Sequence, residues 1–332
     1  MQKIEDLMRA KAAAVLADGA ADCVLAWKRG IFPYDHAPAL FRRGDDLADL
    51  VYDVFCPANL AKYLLATSRA GERAAVFLKP CDTYGVNQLL KDHRVVRDRI
   101  LAIGTPCGGM VDVKKLRGAG CGTILAVEDR GDVLTVTTAK GPVTVAKGEV
   151  LLRKCLACKG NAYQIADDEI GTPRGTPPAP VDRYAEVRTL EGLSPDERFA
   201  FWRQELSKCI RCNTCRDVCP ACTCEQCVFD HPGSGVDGKA YVDTSQEALF
   251  HIIRAFHVAG RCTGCGECGR VCPQGIRLDL LNHKFAKDID AFFGPCQPGA
   301  DADSPAPQST FRFEDPEPEA VTRQDDRRDR HA

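Results

Sequence analysis

The chain has 332 residues, 44 basic against 46 acidic side chains, and 19 cysteines. That length supports two or three domains with a sizeable core. The near-neutral charge lacks the electrostatic footprint of a nucleic-acid binder, and no run of about 18 apolar residues offers a membrane span.

The start, Met1-Gln2-Lys3-Ile4-Glu5-Asp6, reads as an amphipathic helix rather than a signal peptide. A cytoplasmic address is therefore expected. Thiols stay reduced there, so the cysteines are metal ligands or plain thiols rather than a disulfide framework.

Residues 73–79 form a short apolar run, enough for one buried strand. Pro80-Cys81-Asp82 breaks it, and Asp82 is placed to cap a helix reaching about Asp92, with Val86, Leu89 and Leu90 inward. Residues 99–103 are a second buried strand, ending at Gly104-Thr105-Pro106-Cys107-Gly108-Gly109. A strand–helix–strand unit predicts parallel strands. Cys81 and Cys107 then both follow carboxyl ends of strands, the edge where open α/β sheets hold ligands.

Between residues 123 and 152 three alternating runs are separated by Arg130-Gly131-Asp132 and Lys140-Gly141-Pro142, the pattern of an antiparallel meander. Cys155-Leu156-Ala157-Cys158 follows. By itself this pair reads as a plain thiol pair, a redox dithiol or half of a metal site.

Residues 171–180, rich in Gly and Pro, read as a linker or ordered loop. Ser194-Pro195-Asp196-Glu197 is a capping box with Pro at the first helical position. Phe199, Trp202 and Leu206 continue that helix towards Cys209. Thr244-Ser245-Gln246-Glu247 is a second box, with Leu249, Ile252, Ile253 and Phe256 at helical spacing and Gly260 closing the helix before Cys262.

Eleven of the 19 cysteines lie between Cys209 and Cys272. Cys209, Cys212, Cys215 and Cys219-Pro220 have the spacing C-x2-C-x2-C-x3-C-P. Cys262, Cys265, Cys268 and Cys272-Pro273 repeat it unchanged. This is the two-cluster ferredoxin run, in which three thiolates wrap one cubane and the fourth serves the other. The expected ligand sets are Cys209, Cys212, Cys215 and Cys272 for one [4Fe-4S] cluster, and Cys262, Cys265, Cys268 and Cys219 for a second. Zinc also takes four thiolates, but seldom needs the third close cysteine or the Cys-Pro ending.

The helical entries and the 42 residues between Cys219 and Cys262 resemble the helical ferredoxin domain of heterodisulfide reductase and succinate dehydrogenase iron–sulfur subunits.

Cys222, Cys224 and Cys227 are surplus to those sets. They read as a third metal site completed by Cys296 or His231, as alternative ligands for the second cluster, or as thiols packed beside it. Cys23, Cys56, Cys121 and Cys296 read as ordinary thiols. His251 and His257 read as packed or solvated, and His93 as a helix-end residue serving the dipole. No Ser-His-Asp set, P-loop or carboxylate pair appears, and no catalytic residue is assigned.

Leu78-Lys79-Pro80-Cys81-Asp82, the stretch from Ile103 to Gly109, Cys155-Leu156-Ala157-Cys158 and Ala166-Asp167-Asp168-Glu169-Ile170-Gly171 occur in this order. The set resembles the beta-subunit family of coenzyme F420 hydrogenases and formate dehydrogenases, and the joined ferredoxin domain resembles the formate-dehydrogenase type. The resemblance implies a third [4Fe-4S] cluster on Cys81, Cys107, Cys155 and Cys158 beside an FAD.

One departure concerns residues 51–60, where that family often carries a Gly/Ser-rich segment. Glycine is missing here, so the backbone cannot approach a pyrophosphate as closely. This counts against use of coenzyme F420 itself. Lys79, Asn59 and Asn87 lie near the expected pocket.

The expected architecture is an α/β domain over residues 1–190 with a small parallel sheet and an antiparallel meander. A mainly α-helical dicluster ferredoxin domain follows over 191–296, then a disordered tail over 297–332. The expected function is an electron-transfer subunit of a cytoplasmic complex, working between a flavin and a catalytic partner of formate dehydrogenase, hydrogenase or heterodisulfide reductase type. The alternatives are a ferredoxin-like wire whose α/β domain is a cofactor-free docking module, and a redox or iron sensor.

Overall fold

The computed structural model describes residues 4–172, 182–231, 233 and 244–307. Most of the expected linker and the chain beyond residue 307 lie outside the described residues. In chain order the N-terminal part comprises α1 (Ile4–Ala17), β1 (Cys23–Lys28), β2 (Ala37–Arg42), α2 (Leu64–Arg69), β3 (Ala74–Leu78), α3 (Pro80–Lys91), β4 (Ile100–Gly104), α4 (Val113–Gly118), β5 (Ile124–Asp129), β6 (Val133–Thr138), β7 (Gly141–Ala146), α5 (Lys147–Val150), α6 (Arg153–Leu156) and β8 (Asp168–Glu169). The C-terminal part comprises α7 (Ala185–Glu191), α8 (Pro195–Leu206), α9 (Thr214–Asp217), α10 (Thr244–Val258), α11 (Glu267–Val271) and α12 (Leu278–Phe293).

The main sheet has the order β2-β1-β3-β4-β8. β1, β3, β4 and β8 run parallel, as the strand–helix–strand pattern implies. β2 pairs antiparallel with β1, so the sheet is mixed rather than purely parallel. Pro38 is tolerated in β2 because that strand lies at the edge, where a missing N–H costs no ladder bond. β3 is buried along its whole length, and α1 covers the sheet with Met8, Ala12, Val15 and Leu16.

β5, β6 and β7 form the expected meander. It has its own apolar core of Leu116, Ile124, Leu134, Val136 and Val145.

The helical part is built differently. Its described core is small, with Leu206, Ile276 and Leu278 packed beside Cys215 and Cys268. The capping box at Ser194 and Glu197 forms as the sequence predicts.

Other expectations are corrected. Asp82 does not cap α3; Lys79 is the N-cap residue, and Asp82 pairs with its ammonium at 2.9 Å inside the protein. His93 takes a left-handed φ of 52° just past the helix end. On α10 the apolar spacing misleads: Leu249, Ile252 and Phe256 are exposed, while Phe250, His251, Arg254 and Ala255 are buried. Glu247 is buried against Arg211 at 2.7 Å, and the side chain of Thr244 lies outside what is described.

The stretch after Cys296 is not free chain as far as residue 307. Pro298 and Gly299 are buried, Asn87 Nδ2 donates to the Ala300 carbonyl (3.4 Å), and Lys91 Nζ donates to Ser304 Oγ (3.0 Å). Its low apolar content hid this contact, because packing there rests on backbone polar groups and on a glycine against Tyr84.

Candidate metal centres

Both cysteine motifs coil in the same way. Arg211 (φ 51°) and Asn213 (φ 61°) are left-handed in the first, and Gly264 and Gly266 (both φ 68°) take the same places in the second. These turns bring backbone N–H groups to sulfur. The Arg211 N–H donates to Cys209 Sγ at 3.3 Å, and the Gly264 N–H donates to Cys262. A short helix then follows each loop, α9 carrying Cys215 and α11 carrying Cys268.

The thiols gather in groups. Cys209, Cys212, Cys215 and Cys272 line one pocket, together with Phe250 and His251. Cys219, Cys262, Cys265 and Cys268 line another, with Asp279, Asn282 and His283. In each, the fourth thiol comes from the other motif. Among the described residues no three Cys, His, Asp or Glu side chains converge on a point suited to a single ion. Each quartet lines one pocket, and four thiols are the donor set a [4Fe-4S] cluster takes.

Side chains add donors to these sulfurs. Arg254 Nη1 lies 3.5 Å from Cys215 Sγ and Asn282 Nδ2 lies 3.5 Å from Cys268 Sγ. Thr214 Oγ1 lies 3.4 Å from Cys212 Sγ. Hydrogen bonds to sulfur are one of the levers on cluster potential. Burial pushes the Cys209 thiol up to about 12 and Cys265 up to about 11. Such thiols ionise only when a metal compensates the charge. His251 is buried, and neither ring nitrogen has a hydrogen-bond partner among the described residues. Burial, with Arg254 and Arg211 nearby, pushes it down to about 3, so it is a neutral donor facing the pocket.

The N-terminal cysteines meet at the carboxyl edge of the main sheet. Cys81 follows β3, Cys107 follows β4, and Cys155 and Cys158 come from α6 and the turn after it. All four line one cavity of about 380 Å³. Backbone N–H groups again reach sulfur: Gly109 to Cys107 (3.4 Å) and Met110 to Cys155 (3.3 Å). Cys265 of the second C-terminal quartet lines the same cavity.

Four lysines surround this cavity, a feature that composition and spacing did not signal. Lys79 is fully buried, with its ammonium 2.7 Å from the Ala58 carbonyl and 4.1 Å from the centre of the Trp27 ring. Lys147 pairs with Asp129 at 2.8 Å. Lys154 pairs with buried Glu267 at 2.5 Å across the junction of the two parts. Burial opposes ionisation of Glu267, yet Lys154 and Arg270 hold its carboxyl down at about 2. Lys159 donates to the Thr263 carbonyl, and burial pushes its ammonium down to about 8.

A second cavity, about 350 Å³, adjoins the first at Gly108, Gly109 and Met110. Tyr52, Asp53 and Val54 line it, so the glycine-free segment does reach the pocket region. The glycines near it come from elsewhere: Gly108, Gly109, Gly131 and Gly148 all line the larger cavity. A planar cofactor with a pyrophosphate is thus compatible with the site, because pockets of roughly 300–1,000 Å³ hold such ligands. Of the residues expected there, Lys79 lines the cavity. Asn59 instead accepts from the Ala61 N–H, and Asn87 bonds the Gln164 and Ala300 carbonyls.

Cys222, Cys224 and Cys227 line a separate pocket, in which neither Cys296 nor His231 takes part. Cys23, Cys56 and Cys121 are buried thiols that line none of these five pockets.

Comparison with known proteins fits this geometry. Residues 205–276 match the model of a 4Fe-4S dicluster domain. The beta subunit of an F420-dependent formate dehydrogenase from Methanocaldococcus jannaschii is 25% identical over 342 residues, covering 86% of this chain and 89% of that protein. The chain is a homologue of these beta subunits. A second, formate dehydrogenase 1 subunit beta of Methanococcus maripaludis, is 25% identical and covers 88% of this chain and 89% of its own. A chain of the F420-reducing [NiFe] hydrogenase complex from Methanosarcina barkeri shares 17% identity over 50% of this chain and 64% of that one, with a TM-score of 0.41. Among the described residues no helix is long and apolar enough to cross a membrane.

Proposed function

We propose that this chain is an iron–sulfur electron-transfer subunit of an oxidoreductase complex, carrying electrons between a catalytic partner and a flavin in the α/β domain. The observation that carries the reading is Cys265. It lines both the second C-terminal pocket and the N-terminal cavity, which supports a continuous series of three four-thiol sites. Bound clusters supply one-electron steps, and a flavin interconverts these with two-electron chemistry.

The chain's own residues hold and shape the sites. Cys81, Cys107, Cys155 and Cys158 would ligate the N-terminal cluster. Cys219, Cys262, Cys265 and Cys268 would ligate the middle one, and Cys209, Cys212, Cys215 and Cys272 the outer one. Lys79, Lys154 and Lys159 place positive charge beside the thiolates, and the Lys154–Glu267 pair locks the junction across which two sites meet. At the far end Cys212 and Ile210 are exposed, which suits delivery to or from a partner's surface. The catalytic partner is of the formate dehydrogenase type named for the homologues, with hydrogenase and heterodisulfide reductase types as the other classes. A cofactor-free docking domain is not favoured, because four thiols line a cavity of ligand size at the ligand-binding edge of the sheet.

The test is anaerobic purification with iron, sulfide and flavin analysis of the unchanged chain and of Cys81→Ser/Cys155→Ser. The variant is expected to lose about four irons and its flavin, and the unchanged chain to co-purify with a redox subunit. Equal iron in both and no flavin in either would remove the N-terminal half of the proposal.

A further inference from the structure

The three surplus cysteines occupy a pocket of about 440 Å³ between α2 and the C-terminal half of α10. The loop that carries them is fastened from the α/β domain. Lys62 donates to the Cys222 carbonyl, and Arg94 Nη2 donates to the Thr223 carbonyl at 2.6 Å. Inside the pocket Arg216 lies beside Cys227, and Cys222 lies beside Cys219. Five cationic side chains line the space, Lys62, Arg69, Arg216, Arg254 and Arg261, against three carboxylates. Two of those carboxylates, Asp217 and Asp230, are already paired with Arg216.

A space lined by this many cations suits an anionic occupant. The three sulfurs do not converge on a point suited to one ion. The four-thiol sites share that property, and three soft thiol donors on one loop suit iron as well as zinc. Zinc would draw its ligands to about 2.3 Å from one centre.

We infer that Cys222, Cys224 and Cys227 hold a fourth iron–sulfur cluster, a cubane with three protein thiolates and one iron open to the solvent side of the pocket. Lys62, Arg69 and Arg254, the lining cations not paired with a carboxylate among the described residues, offset part of the negative charge that three thiolates bring to the site. The contact between Cys222 and Cys219 places this cluster beside the middle quartet. The open iron would take water or an anionic oxygen or sulfur ligand from outside the chain. This site stands apart from the N-terminal cavity and does not depend on a flavin there.

The full chain, reconstituted anaerobically with ferrous iron and sulfide, decides the matter. Cys222→Ala/Cys224→Ala/Cys227→Ala is expected to bind about four fewer irons and four fewer sulfides than the unchanged chain. Cys224→Ala, at an exposed position, provides the same readout should the triple variant fail to fold. Mild oxidation of the unchanged chain should release one iron and give a three-iron EPR signal that both variants lack. Equal iron in the unchanged chain and the variants overturns the proposal, as does loss of one zinc in place of iron. Cys81→Ser/Cys155→Ser is measured in parallel. Iron lost there but not here leaves the proposed electron-transfer role standing and removes only the fourth cluster.

Discussion

The two cysteine loops share spacing and backbone conformation but sustain their left-handed turns by different means. The first places Arg211 where an ordinary side chain costs about 1–2 kcal/mol, and Asn213, a residue type that tolerates the left-handed conformation, two positions on. Arg211 offsets this through a buried pair with Glu247 and by stacking on Phe250, 4.1 Å from the ring centre. The second uses glycine at both places, for a reason beyond φ. A Cβ on Gly266 would lie 2.6 Å from the Cβ of Lys154. The glycine loop is the one pressed against the α/β domain, and the loop with side chains faces outward, with Ile210 53% exposed. Glycine content therefore separates the inner site from the outer one.

The largest effects should come from the thiols that cross between loops. Cys219→Ser is expected to match Cys262→Ser in its EPR spectrum, and Cys272→Ser to match Cys209→Ser, each losing about four irons. The reverse pattern would show that each loop closes its own cluster. Next is the junction that only the second loop has. Glu267→Ala leaves Lys154 buried and unpaired, and should cost about 3–5 kcal/mol in denaturant unfolding.

Gly266→Ala should cost at least about 2 kcal/mol in the same measurement, from strain plus the clash with Lys154. Gly264→Ala, whose Cβ would meet the end of Lys159 at 3.4 Å and His283 Nε2 at 3.6 Å, should cost less. Equal losses at the two positions would mean that φ alone demands the glycines.

A pH effect belongs to the first loop. His251 sits at about 3 in the folded chain against an ordinary 6.5. The unfolded chain therefore binds a proton that the folded chain refuses as pH falls below 6.5. Its contribution is intact above 6.5 and declines by about 1.4 kcal/mol per pH unit below it, until about pH 3. His251→Gln should flatten that part of the stability profile, and an unchanged slope would place the proton uptake elsewhere. The smallest effect is Asn213→Gly, expected to change stability by no more than about 0.5 kcal/mol, because the position is already left-handed and Asn tolerates it.

The strand–helix–strand unit, the meander and the spacing of the two motifs were legible because each follows from local periodicity or from ligand geometry. The β1–β2 hairpin at the sheet edge was not, since the five buried residues in a row in β1 give no alternation to read. The face of α10 was misjudged for a physical reason. Beside the first thiol quartet the buried face carries polar groups, Arg254 reaching Cys215 Sγ and His251 lining the pocket, while Ile252 and Phe256 face solvent. Lys79 was placed near the cavity from sequence, but its grouping with Lys147, Lys154 and Lys159 was not legible, because the four come from three segments that only the fold brings together. Gly108 and Gly109 were in view, but the expectation fixed on residues 51–60 for the close approach that these glycines are better placed to allow.

The crossing of Cys219 and Cys272 between pockets bears on how the chain matures. Neither loop can complete its own ligand set until the other has folded beside it, so filling one site already orders both loops and brings the four thiols of the other together. Loading should be concerted. Preparations starved of iron should contain a mixture of empty and doubly filled dicluster domains, with few chains holding a single cluster.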